Sequence, residues 1–217
     1  MINKNYRQFY ENLFKQILSS RAKSFFDEAA LPSYTHKNRL MSYIFWDRLN
    51  KVFQLSGELK GKKVLDFGAG GGVTFKHLSV SGALISACEN EFFELTQLVA
   101  DELGIKVPVF KDIMEINGVK FDHILALDVL EHVDKLDAVL DKFIELSDKN
   151  TKFIISGPTE SFIYKIGRFL AGFKGHYHLR DVYDIETNLK NKGFKMKRLK
   201  KLYFPVTLFR VSLWTLK

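Results

Sequence analysis

Five short apolar runs, "KKVLDF", "ALISAC", "KVPVF", "FDHILALDV" and "TKFIISG", recur between residues 62 and 157, separated by stretches with helical spacing. Parallel strands need a crossover between them, and a crossover helix packs back on the sheet, so this alternation predicts an α/β fold with helices on both faces. Ahead of it, Ile2, Tyr6, Phe9, Tyr10, Leu13, Phe14, Ile17 and Leu18 fall on one helical face. Leu40, Met41, Ile44, Phe45, Leu49, Val52 and Phe53 repeat the pattern, and "LPSYTHKN" between the two carries turn chemistry. The end of the chain, "FKMKRLKKLYFPVTLFRVSLWTL", reads as two longer strands joined at Pro205. The expected division is a helical extension or lid over residues 1–57 and a ligand-binding domain over residues 58–217.

The turn after the first strand decides what that domain binds. "VLDFGAGGGVTF" places four glycines between positions 68 and 72, where each costs about 0.5–1 kcal/mol against alanine in regular structure. Ligands of open α/β sheets sit at the carboxyl ends of strands, where such a turn and the following helix present backbone N–H groups. The glycines are therefore expected to admit a ligand close to the backbone. The dinucleotide fingerprint G-x-G-x-x-G would need a glycine at position 73, which is Val73.

The pattern that is present, Asp66-x-Gly68-x-Gly70-x-Gly72, resembles motif I of the class I S-adenosylmethionine-dependent methyltransferases. The resemblance continues to about residue 157. It implies a Rossmann-like, seven-stranded, mostly parallel sheet with an antiparallel last strand, and S-adenosylmethionine as cofactor. Asp66, Phe67, Gly68, Ala69, Gly70 and Gly72 would form the cofactor turn. In "SACEN", Glu89 with Asn90 would meet the ribose hydroxyls, and in "FKDIMEI", Asp112 would reach the adenine amino group with Ile113 against the ring. Asp128, counted with the cofactor-binding residues, opens "DVLEH", similar to the D-x-L-E-H stretch of methyltransferases acting on small molecules. Taken singly, Glu89 could equally begin a helix, Asp112 occupy a turn, and His132 start a helix.

A sulfonium carries an activated methyl group, so placing a nucleophile in line with it is the main catalytic requirement. A hydroxyl acceptor would also need a base or a metal to help remove its proton, and Glu131, His132, His176 and His178 are the candidate residues. No third ligand accompanies His176 and His178, so no metal is assigned. The O-methyltransferases of quinone biosynthesis are similar in D-x-L-E-H and in a later histidine-containing segment. Glycan and lipid methyltransferases share that plan. The expected function is methyl transfer, at oxygen, to a small-molecule or lipid- or glycan-linked acceptor.

Charge bears on partners. Residues 1–159 hold 20 Lys and Arg against 21 Asp and Glu, whereas residues 160–217 hold 13 against 4. The basic end is read as a solvated face or as attraction to an anionic substrate, phospholipid or nucleic acid. Its lysines match no nucleic-acid module, and the Asn/Asp-Pro-Pro-aromatic stretch of base-modifying enzymes is absent, so nucleic acid is not the expected partner. An RNA-directed methyltransferase and a non-catalytic cofactor-binding partner or sensor are the alternatives. In residues 160–178, Phe162, Ile166, Phe169, Leu170 and Phe173 share a face flanked by Lys165, Arg168 and Lys174. Residues 160–175 would pack on the core or dip into an anionic membrane surface to collect an amphiphilic acceptor. A lone cysteine, Cys88, excludes a disulfide framework, and "MINKNYRQFYENLF" lacks the apolar run of a signal peptide. The expected location is the cytoplasm, with peripheral contact at the inner membrane surface.

Overall fold

The apolar runs become neighbouring strands of one sheet. The structure, a computed structural model, describes residues 2, 4–20, 34, 39–159, 180–203 and 206–217. Two helices, α1 (Lys4–Ser20) and α2 (Arg39–Ser56), precede β1 (Lys63–Phe67), α3 (Phe75–Val80), β2 (Leu84–Cys88), α4 (Phe93–Glu102) and β3 (Val109–Phe110). Then follow β4 (Phe121–Leu127), α5 (Leu136–Glu145), β5 (Ser147–Pro158), α6 (Val182–Asn191), β6 (Phe194–Tyr203) and β7 (Thr207–Leu216). The sheet is seven-stranded, in the order β3-β2-β1-β4-β5-β7-β6. The first five strands are parallel, and β7 runs antiparallel to both β5 and β6. Strand order reverses between β1 and β4, which fixes the ligand crevice at their carboxyl ends.

Both faces of the sheet are buried, and the two-residue period of the strands sorts their side chains between two cores. Val64, Leu125, Ile154, Val211 and Leu213 point to one face, where they meet Tyr10, Phe14, Trp46, Leu49 and Val52 from α1 and α2 and Phe75 and Val99 from α3 and α4. Leu65, Phe67, Ile124, Ala126, Phe153, Ile155 and Trp214 point to the other, against Leu140 and Phe143 of α5 and Ile185 and Leu189 of α6. The two N-terminal helices thus complete the helical layer on the first face.

Two strand boundaries differ from the apolar runs. β3 is confined to Val109–Phe110, because Pro108 has no N–H to donate and only its carbonyl takes part, accepting from Ala87 N–H at 2.9 Å. β5 begins at Ser147 in polar "SDKN": the Thr151 hydroxyl donates to the Phe121 carbonyl at 2.6 Å and accepts from Asp148 N–H at 2.9 Å, spanning an irregularity in the β4–β5 register. On edge strand β6, Lys195, Lys197, Arg198 and Lys201 are exposed, an arrangement that discourages pairing with a further strand. Pro205, His176, His178 and the amphipathic pattern of residues 160–178 lie outside the described residues.

Candidate cofactor and acceptor site

The glycine turn leaves β1 in left-handed backbone, with φ of +73° at Gly68, +51° at Gly70 and +57° at Gly72. The three positions are glycine for different reasons. A Cβ on Gly68 would lie 2.4 Å from Val129 Cγ2, and one on Gly72 would lie 2.8 Å from Phe75 Cδ2. A Cβ on Gly70 would meet nothing within 4 Å. Gly68 and Gly72 let protein pack on protein, and Gly70 alone faces the open crevice.

Around that opening the turn is tied from several elements. Gly70 donates its N–H to Glu89 Oε2 at 2.8 Å, and its carbonyl accepts from the Thr96 hydroxyl at 2.7 Å. Glu89 Oε1 accepts from Phe92 N–H at 3.2 Å, so the nearly buried carboxylate serves both the turn and the start of α4. Gly68 N–H continues the β1–β2 pairing, donating to the Cys88 carbonyl at 2.8 Å. Asp66 lies beneath the turn, buried, and accepts from the Thr74 hydroxyl. Burial pushes its pKa up to about 6 against that hydrogen bond, and the Glu89 charge adds to the rise. Phe67 and Ala69 are buried beside it, and Asn90 is exposed.

The acidic side chains gather at the carboxyl ends of β2 and β3. Asp112 is exposed and caps a single 3-10 turn, Ile113–Glu115, by accepting from Met114 N–H at 2.9 Å, while Ile113 is buried beneath it. Burial pushes the Cys88 thiol up to about 12, and the charges of Glu89, Asp112 and Glu115 all push the same way. Three carboxylates therefore lie near enough to act on the buried Cys88 side chain at the end of β2.

At the end of β4, Asp128 is the one described non-glycine residue with positive φ, at +53°. Its carboxylate is held by the Ser156 hydroxyl at 2.7 Å and by the guanidinium of Arg48. The kink at Asp128 delivers Val129 onto Gly68 and leads into a second 3-10 turn, Leu130–His132, where Glu131 is buried and His132 exposed. The site thus brings together Asp66, the glycine turn, Glu89 and the Asp128–His132 turn.

Several side chains that shape it have no motif to announce them. Arg48 of α2 is buried, donates to the Tyr34 hydroxyl at 2.6 Å, and lies 5.2 Å and 5.5 Å from the ring centroids of Phe45 and Phe209. Tyr6 and Tyr10 of α1 send their hydroxyls to the Val73 and Gly72 carbonyls. Hydroxyls on a helix face otherwise marked for burial, and a cation within such a face, were the available signals, because buried polar atoms need partners.

The family model for the methyltransferase domain matches residues 34–199, most of the chain, including the glycine turn, Glu89 and the Asp128–His132 turn. The chain belongs to the class I S-adenosylmethionine-dependent methyltransferases. S-adenosylmethionine is the cofactor of this family, and the open approach to Gly70 beside Glu89 fits it. The "ubiquinone biosynthesis O-methyltransferase" of Vibrio atlanticus is 34% identical over 99 residues, covering 43% of this chain and 42% of that protein. Its counterpart in Photorhabdus laumondii is 33% identical over 99 residues, covering 43% of this chain and 41% of that one. The match thus spans less than half the length of these curated relatives. The fold superposes on magnesium protoporphyrin IX methyltransferase from Synechocystis PCC 6803 with a TM-score of 0.65 and 19% identity, over 97% of this chain and 99% of that one. A methyltransferase from Aquifex aeolicus gives 0.62 and 17%, over 78% and 90%.

Proposed function

We propose that the protein methylates an oxygen of a small-molecule acceptor, of the phenolic or quinol kind or lipid-linked, approaching past the Asp128–His132 turn. The observation that carries the cofactor half is the open approach to Gly70, where an added Cβ would meet no protein atom within 4 Å and whose N–H is fixed by Glu89. The acceptor half is supported by the matched relatives, both named as O-methyltransferases of ubiquinone biosynthesis.

In this reading, bound S-adenosylmethionine supplies a methyl group activated by its sulfonium. Backbone groups of the turn at Phe67, Gly68, Ala69, Gly70 and Gly72 line its approach, and Asp66 supports the turn from below through Thr74. Glu89 and exposed Asn90 serve the ribose, and Asp112 with Ile113 the adenine. The carboxylates around Cys88 favour a cationic ligand over an anionic one. Asp128, engaged by Arg48 and Ser156, contributes by fixing the turn that presents Glu131 and His132 to the acceptor proton. His176 and His178 complete the set of candidate bases. Among the described residues no helix is long and apolar enough to cross a membrane.

The test is a screen of quinol, phenol, lipid and sugar acceptors for label from methyl-labelled S-adenosylmethionine. Label on a phenolic or quinol oxygen is expected. Label on nitrogen or carbon would overturn the oxygen assignment. S-adenosylhomocysteine binding without transfer to any acceptor would mark a cofactor-binding partner or sensor.

A further inference from the structure

Two tyrosines of α1 reach more than sixty positions along the chain to the backbone of the glycine turn. Tyr6 donates to the Val73 carbonyl at 2.5 Å. Tyr10 donates to the Gly72 carbonyl at 2.8 Å and accepts from Lys76 N–H at 3.2 Å, which joins the turn to the first residues of α3. Both rings are buried among Phe14 and Trp46, with Tyr10 and Trp46 centroids 6.2 Å apart. Burial raises both phenol pKa values, so the hydroxyls remain protonated donors at neutral pH.

The contacts fall where the chain is hardest to hold. Glycine-rich backbone loses the most conformational freedom on ordering, and a ligand that binds by backbone approach gains affinity when that loss has already been met. Glu89 and Thr96 restrain the turn at Gly70, and within the turn Gly72 N–H donates to the Ala69 carbonyl at 2.8 Å. From Gly72 to Lys76 the tyrosines add a restraint from α1 to those that Asp66 supplies through Thr74 and that Phe75 N–H supplies to the Gly72 carbonyl. The two hydroxyls converge on adjacent carbonyls of the cofactor turn.

We propose that Tyr6 and Tyr10 are positioning residues of the cofactor site, holding residues 72–76 in the conformation that accepts S-adenosylmethionine and coupling cofactor binding to the docking of α1. The coupling is reciprocal: if α1 favours the bound turn, the bound turn holds α1 in place by the same factor. This rests on the cofactor assignment above. It adds a role for a helix that lies ahead of the stretch matched by the family model.

Tyr10→Phe and the double variant Tyr6→Phe/Tyr10→Phe keep the aromatic packing and delete the hydroxyl contacts, those to the Val73 and Gly72 carbonyls and the one from Lys76 N–H included. In calorimetry at a temperature where each protein is folded by circular dichroism, S-adenosylhomocysteine should bind the double variant at least about fivefold more weakly than the natural protein. In the natural protein the same ligand should slow tryptic cleavage after Lys4, Arg7 and Lys15 of α1, and slow it less in the variant. A purely structural role would lower the melting temperature and leave affinity and protection unchanged. Affinity within twofold of natural in the folded double variant overturns the proposal. If the double variant does not fold, Tyr10→Phe and the protection experiment decide, and absence of protection in the natural protein overturns it. Failure of the natural protein to bind S-adenosylhomocysteine at all would instead remove the cofactor assignment, and the coupling with it.

Discussion

Gly68 and Gly70 stand two positions apart in one motif and should respond differently to the same substitution. Gly70→Val would put its branches into open space, so the sheet should remain folded, at the cost of strain at φ +51°, while S-adenosylhomocysteine binding is lost. Gly68→Val would collide with Val129 and should lower stability itself. Calorimetry paired with chemical denaturation separates the two, and retained binding in a folded Gly70→Val protein would contradict cofactor approach over Gly70. Glu89→Ala should weaken S-adenosylhomocysteine binding by about 1–3 kcal/mol, the usual cost of losing hydrogen bonds to a charged group, with further loss if the Gly70 peptide reorients. Motif spacing made Asp66, the glycines, Glu89 and the Asp128–His132 turn legible in sequence. It could not show that Asp66 faces Thr74, that Gly68 serves Val129, or that the Asp128 carboxylate is taken by Arg48, because those contacts join residues far apart or fix a side chain's direction.

Helix α2 shows what one side chain can do for the placing of an element. Periodicity made the helix legible, and β1 through β5 were legible from their apolar runs. The docking of α2 was not, since it depends on a buried cation in the middle of the apolar face. Arg48 reaches from α2 to Asp128 at the end of β4, with Phe209 of β7 against its guanidinium. Removing one partner of a buried pair leaves the other charge uncompensated, which typically costs 3–5 kcal/mol. The Asp128 side chain retains 20% exposure and a hydrogen bond from Ser156, so Arg48→Met should cost somewhat less, about 2–4 kcal/mol. Adding Asp128→Asn to Arg48→Met should recover part of the loss. Urea denaturation of the cycle measures the coupling, and a coupling below about 0.5 kcal/mol would reduce the pair to the strength of a surface contact.

At the scale of the whole molecule, burial beneath the site sets opposing pH dependences. Asp66 has its folded pKa raised from 3.8 to about 6, so its protonated form is favoured on folding. Its contribution to stability is complete below about pH 4 and is lost as pH rises through about 6, on the order of 2–3 kcal/mol. His77, stacked on Phe53, has its pKa lowered by burial from 6.5 to about 4, and buried His123 is lowered for the same reason. Their contributions run the other way, present above pH 6.5 and lost as pH falls. The two trends overlap between about pH 4 and pH 6.5, so the natural protein should show a shallow profile there that hides both. Asp66→Asn keeps an acceptor for Thr74 and removes only the titration. Its stability relative to the natural protein should therefore climb from pH 4 to pH 7 by the amount Asp66 loses, measured by urea denaturation at each pH. A constant difference across that range would mean that Asp66 ionises as freely in the folded chain as in the unfolded one, and that the floor of the cofactor turn is wetter than its burial implies.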